Sequence, residues 1–221
     1  MTTTALHSHV GANRDPRSRL DPGTIDPPPS HRCAPIRSAP LPVTGPHPPL
    51  FAVLGAHGGA GTSTLARWWA PAADTGLAWP ASNRTTQRVV IAARLCMPGL
   101  TAAADRLREW HADLAPDGVT VIGLVLTPAR PGRVPASVRR YRGVVAELVE
   151  HVYSIGWHDE LISCELSELA QYLPFNPPPR RRAHIAAAVP TDVHRAGTEI
   201  LTRLAEQRKT TGARPDSDSE S

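Results

Sequence analysis

Eight consecutive residues, Ala56, His57, Gly58, Gly59, Ala60, Gly61, Thr62 and Ser63, have the composition and spacing of a loop that cradles phosphate. Three glycines let the backbone curl so that successive N–H groups face one point, which bulkier residues prevent. Ser63 fills the Ser/Thr position that closes this pattern, and Thr64 follows it. One part is missing. The general pattern A/G-x-x-x-x-G-K-S/T has a lysine where Thr62 stands, and that lysine carries the positive charge on the outer phosphates. The loop keeps the shape of a phosphate cradle without its cation.

Other residues are candidates to supply what the loop lacks. Arg94 directly follows a β-rich run, and ligands in open α/β sheets sit at the carboxyl ends of such strands. Arg94 either supplies the missing charge, or pairs with Asp74 or faces water; Arg130 and Arg133 follow the next strand in the same way. Asp74 is the only acidic residue between Thr64 and Val89, and in "ADTG" it reads as an Asx-turn or helix stop ahead of a magnesium ligand. Arg180, Arg181 and Arg182 form the densest basic cluster, able to contact nucleic-acid phosphates, but without interleaved aromatics they read as a solvated loop. His7 and His9 lack a third ligand, and His151, His158 and Cys164 are poorly spaced for a shared metal. Cys33, Cys96 and Cys164 are odd in number and follow no CxxC spacing, which fits a reducing cytoplasm.

The elements that must position the loop follow from hydrophobic patterning. Leu50 to Gly55 is a continuous apolar run, the signature of a strand buried on both faces. A short helix is predicted from Ser63 to Trp69, capped by Ser63 or Thr64 and ended by Pro71, with Trp68 and Trp69 in core and edge packing. Residues 72–87 read as a turn-rich loop anchored by Trp79. Further strands are predicted at Arg88 to Ala93, Val119 to Leu126 and Val152 to Gly156, with helices at Gly99 to Leu114, Ala136 to Val152 and from Thr191 onward. Alternating strands and helices imply crossovers, hence an α/β fold with a parallel sheet of four or so strands and flanking helices.

Residues 1–49 contain eleven prolines and few large apolar residues, and read as a disordered arm. Residues 50–207 form the predicted domain, and residues 208–221 a solvated acidic tail. The net charge of +4 is compatible with an anionic partner without demanding one. No run approaches the length of a membrane span.

The run "HGGAGTSTLA" resembles the deviant loop of the MinD/ParA family, K-G-G-x-G-K-T/S-T/S. By that resemblance the family's signature lysine falls on His57, its second lysine on Thr62 and its magnesium-binding hydroxyl on Ser63. The closest likeness is to the branch tied to pilus assembly and septum placement and to uncharacterised actinobacterial MinD-like proteins. "RVVIAARLCMPGL" and "VIGLVLTPARPGRVP" extend the likeness across about Leu50 to Trp157. It implies a shortened P-loop NTPase-like domain and ATP with magnesium as the cofactor. The site residues it implies are His57, Gly58, Gly59, Ala60, Gly61, Thr62, Ser63 and Thr64, with Arg94 added from its position. Two departures count against catalysis: both lysines are replaced, and the acidic strands that follow the loop helix in the family have too little chain to form here. The expectation is a degenerate, non-hydrolytic module that binds an unidentified protein partner or positions it, with weak or no nucleotide binding. The alternatives are an active ATPase of the same type and a nucleic-acid-binding accessory that uses Arg180 to Arg182.

Overall fold

The runs richest in Val, Ile, Leu and Ala become the middle of a sheet, because their side chains are buried on both faces. In a computed structural model that describes residues 25–179 and 183–212, with side chains to residue 208, the elements follow in chain order. They are β1 (Ile36–Arg37), β2 (Phe51–Gly55), α1 (Thr62–Trp68), β3 (Ala72–Gly76), β4 (Trp79–Pro80), β5 (Arg88–Leu95), α2 (Met97–His111), β6 (Thr120–Pro128), α3 (Ala136–Ala146), β7 (Val152–Ser154) and α4 (Thr191–Gly212). The main sheet has five parallel strands in the order β3-β2-β5-β6-β7. The fold is α/β, as the alternation of elements implies.

Alternate residues of each strand feed opposite cores. Ala52, Leu54, Val89, Ile91 and Leu124 pack with Leu100, Leu107 and Val138 of α2 and α3. Phe51, Val53, Val90 and Val125 pack with Leu65, Trp68 and Trp69 and with Val193 and Ile200 of α4. The chain leaves β2 through α1 to reach β3 on one side, then crosses back to β5 on the other side and continues outward through α2 and α3. Helices on opposite faces are what right-handed crossovers in opposite directions require. The reversal at β2 opens a crevice beyond the carboxyl ends of β2 and β5, the place where ligands bind in sheets of this kind.

Four sequence expectations are corrected. Residues 72–87 are not simply a loop, because β3 pairs in parallel with β2 and matches Val53 with Asp74. The chain has room for it because α1 has only 7 residues and turns straight back at Pro71. The helix expected to reach Val152 stops at Ala146, where Leu148 and Val149 turn inward to the core. Helix α4 runs past Gln207 to Gly212.

The fourth correction concerns the arm. Residues 1–24 lie outside the described residues, as do residues 213–221, but residues 25–37 run along α2 and β4, and residues 42–48 pass beside α1 and β3. Polar anchors hold them where apolar content is low. Glu109 accepts the Ala34 amide at 3.0 Å and the Trp79 indole N–H at 2.7 Å on one oxygen, and pairs with Arg106 at 2.5 Å on the other. Arg32 pairs with Asp105 at 2.6 Å, Arg106 donates to the Arg32 carbonyl, and Arg108 donates to the Asp26 carbonyl at 2.7 Å. β1 adds a two-residue parallel ladder to β4, matching Ile36 with Trp79.

Glu109 and Arg106 are both buried. Burial pulls the Arg106 guanidinium below its ordinary pKa, and the Glu109 and Asp105 carboxylates oppose that pull. Removing one member of such a pair leaves the other charge uncompensated. Glu109→Ala is therefore expected to cost about 3–5 kcal/mol, read as a fall in the denaturant midpoint. A loss under about 1 kcal/mol, the size of an exposed pair, contradicts this account of the anchor.

Candidate functional site

The loop at the end of β2 stands at the crevice. Gly59 and Gly61 have φ of +75° and +94°, values that side-chain-bearing residues take only with strain. A methyl group added at Gly58, Gly59 or Gly61 would meet nothing within 4 Å, so the loop's face is open. Among the described residues no acceptor is bonded to the amides of Gly58, Gly59, Gly61, Thr62 or Ser63. Helix α1 begins after Gly61 with no side-chain cap, contrary to the expectation that Ser63 or Thr64 caps it.

Ser63 is used elsewhere. Its hydroxyl donates to Oδ2 of Asp74 at 2.5 Å, while Oδ1 of Asp74 accepts the Gly76 amide at 2.7 Å. The turn expected around Asp74 is present, and the same carboxylate also faces the loop. A loop serine opposite a strand aspartate is the donor set that holds magnesium in phosphoryl-transfer sites, and two oxygens with open surroundings fit an ion that keeps several waters. The strand that carries Asp74 stays hidden in the sequence because it is made of Ala, Asp, Thr and Gly, poor strand formers except for Thr.

Arg94 lies against the loop and lines a cleft beside Gly61 and Thr64. It does not pair with Asp74, and its guanidinium is engaged: Nε donates to the Gly59 carbonyl at 2.8 Å and Nη1 to the Pro128 carbonyl at 2.9 Å. Its backbone N–H donates to Nε2 of His57 at 3.1 Å. Because Nε2 accepts, the proton of a neutral ring sits on Nδ1, which lies 2.8 Å from the Gly58 carbonyl. Thr127 donates to the Ala60 carbonyl at 3.3 Å. The loop is thus braced at His57, Gly59 and Ala60 by residues of β5 and β6. At Gly99 a side chain would collide with the Arg94 carbonyl, so that glycine lets α2 start against the same brace.

Beside the loop lies a cleft of about 160 Å³ whose walls include Gly61, Thr64, Trp68, Thr127, Trp157 and His158. His158 sits edge-on to Trp68 with ring centroids 5.7 Å apart, and its Nε2 is 3.3 Å from Oδ2 of Asp192. The same oxygen accepts the Gly156 amide at 2.5 Å, and Oδ1 accepts the Val193 amide at 3.0 Å. Asp192 thereby ties the segment after β7 to the start of α4. Trp157, His158 and Asp192 are absent from the sequence-derived site because they are distant in the chain and no local spacing joins them.

Arg130 and Arg133 do not reach the loop and line a separate cavity. Arg180, Arg181 and Arg182 lie outside the described residues. No group of three His, Cys, Asp or Glu side chains able to hold a metal occurs among the described residues, and no helix among them is long and apolar enough to cross a membrane. No family model, curated protein or solved structure matches the chain.

Burial alone would raise the Asp192 pKa, but hydrogen bonds from His158 and from the Gly156 and Val193 amides outweigh it and hold the carboxyl below its ordinary value. A depressed folded pKa adds stability above the unfolded value of about 3.9, and that stability is lost as pH falls through the folded value. The gap in melting temperature between native protein and Asp192→Asn is expected to narrow below about pH 4. A gap constant from neutral to acid pH would show that the carboxylate's charge contributes nothing. The loop gives a second test: Gly61→Ala is expected to cost about 1–2 kcal/mol from its left-handed backbone, while Gly58→Ala costs less. Equal melting temperatures for the two variants would contradict the loop conformation.

Proposed function

We propose that the chain is a degenerate MinD/ParA-like protein, non-hydrolytic, that acts as a partner-binding or positioning module and binds nucleotide weakly or not at all. One observation carries this reading: the Ser63–Asp74 pair stands beside an open, glycine-bent loop whose lysine position is Thr62, and the nearby Arg94 donates to two backbone carbonyls. The shape and the metal-type donors are kept. The charge is not.

Phosphoryl transfer depends on stabilising charge on the moving phosphoryl group, and one preorganised donor is worth about a hundredfold to a thousandfold in rate. Thr62 is neutral, and the chain's single lysine, Lys209, belongs to α4. Arg94 donates Nε and Nη1 to two backbone carbonyls, which hold its side chain at the edge of the cleft. These bonds fix the loop's outline, which suits a surface that is recognised better than a site that must rearrange at each turnover.

Calorimetric titration with ATP and magnesium is expected to show a Kd weaker than about 0.1 mM, with no phosphate release. Thr62→Lys is expected to tighten binding by about tenfold or more, the effect of one charged hydrogen bond. Adding Asp74→Ala to that variant should remove the magnesium dependence of the gain. Tight binding with phosphate release by the native chain would make it a working ATPase and overturn the proposal.

A further inference from the structure

Between Ala129 and Ala146 the chain has five arginines and no acidic residue, a local charge greater than the net +4 of the entire sequence. Arg130, Arg133, Arg139 and Arg140 are exposed, and among the described residues none of them is in an ion pair. The fifth, Arg142, donates to Ser154 at 3.3 Å. Arg139 and Arg140 flank a strip of α3 where Ala136 and Gly143 lie seven residues apart on the outer face, both exposed, with open space at Gly143. A docked chain can approach the helix backbone there between two cations.

The charge is joined to an apolar depression. In the turn before α3, a cavity of about 280 Å³ opens between Arg130 and Arg133, and Leu95, Pro128, Val134 and Val138 line it. Leu95 and Val134 are part-buried residues packed on the core, so the depression is backed by rigid structure. A phosphate backbone has nothing apolar to place in it, whereas an acidic peptide with one aliphatic side chain matches both the cations and the cavity.

We propose that the turn before α3 and the outer face of α3 form a docking site for an acidic polypeptide segment that carries an apolar side chain among its carboxylates. This deepens the partner-binding reading and rests on it, since it names the chemistry of the partner. The site adjoins the braced loop through Pro128, whose carbonyl receives the Arg94 guanidinium while the residue also lines the cavity.

The test uses the full chain and fluorescein-labelled decapeptides, one of glutamates with a central leucine and one of glutamate alone, followed by anisotropy at low salt. The leucine peptide is expected to bind saturably and about tenfold more tightly than the other, the effect of burying one leucine side chain. Its affinity should fall with added salt. Replacing Arg130, Arg133, Arg139 and Arg140 together by alanine is expected to weaken binding about tenfold or more. All four are exposed, so an unchanged melting temperature separates lost binding from lost fold. Val134→Asp should abolish the preference for leucine while leaving the arginines in place.

Absence of saturable binding, or equal affinity for the two peptides, overturns the proposal. Tighter binding of a short DNA duplex or of phosphatidylserine vesicles, lost on the same four substitutions, assigns the surface to those polyanions and overturns it as well. A peptide of residues 213–221 that binds as tightly as the leucine peptide would make the chain's own end the occupant, and the proposal of a separate partner falls with it. Failure here leaves the ATP titration untouched, so the docking site and the loop reading stand or fall by different measurements.

Discussion

Strand β2 pairs in parallel with β3 on one side and β5 on the other, and the geometry around the loop follows from that pairing. Because β2 has neighbours on both sides, all of its residues are buried and its position cannot drift. The loop that leaves it must therefore emerge where the sheet reverses direction. The register with β3 places Asp74 opposite Val53, two residues before the end of β2, and from there its carboxylate meets Ser63 on the first turn of α1. The register with β5 places Arg94 beyond Gly55, where its side chain spans from the loop to Pro128.

The polar groups near the crevice follow a common pattern: side chains satisfy backbone carbonyls and amides. Arg94, His57 and Thr127 hold the loop, and Asp192 holds the segment after β7. Each such bond fixes a shape and lowers the freedom of the group that makes it. An arginine that donates to two carbonyls is held in one place, so the fold fixes where the Arg94 charge sits relative to the loop. The same logic holds on the far face, where Glu109 and Arg106 fix residues 25–37 against α2 with charges instead of apolar surface.

Charge that is not spent on the fold is found elsewhere. Arg130, Arg133, Arg139 and Arg140 face outward and make no ion pair among the described residues, in contrast to Arg32, Arg106 and Arg108, which all meet acidic side chains of α2. The division separates structural from available cations more clearly than counting basic residues does. A cluster that is dense in sequence, such as Arg180 to Arg182, says less about availability than an exposed set on one rigid turn and helix.

The sequence by itself determined the sheet's central strands, its parallel character and the glycine positions of the loop, because continuous apolar runs and left-handed backbone each leave a local composition that little else explains. Tertiary structure alone decided the role of Asp74, whose strand is too poor in β-branched residues to be legible and is stabilised by pairing with β2. It also decided the use of Arg94, the bond between Asp192 and His158, and the anchoring of residues 25–37, since each joins groups far apart in the chain. Hydrophobic periodicity reports which way a side chain faces. It carries no information on which distant polar atom waits there.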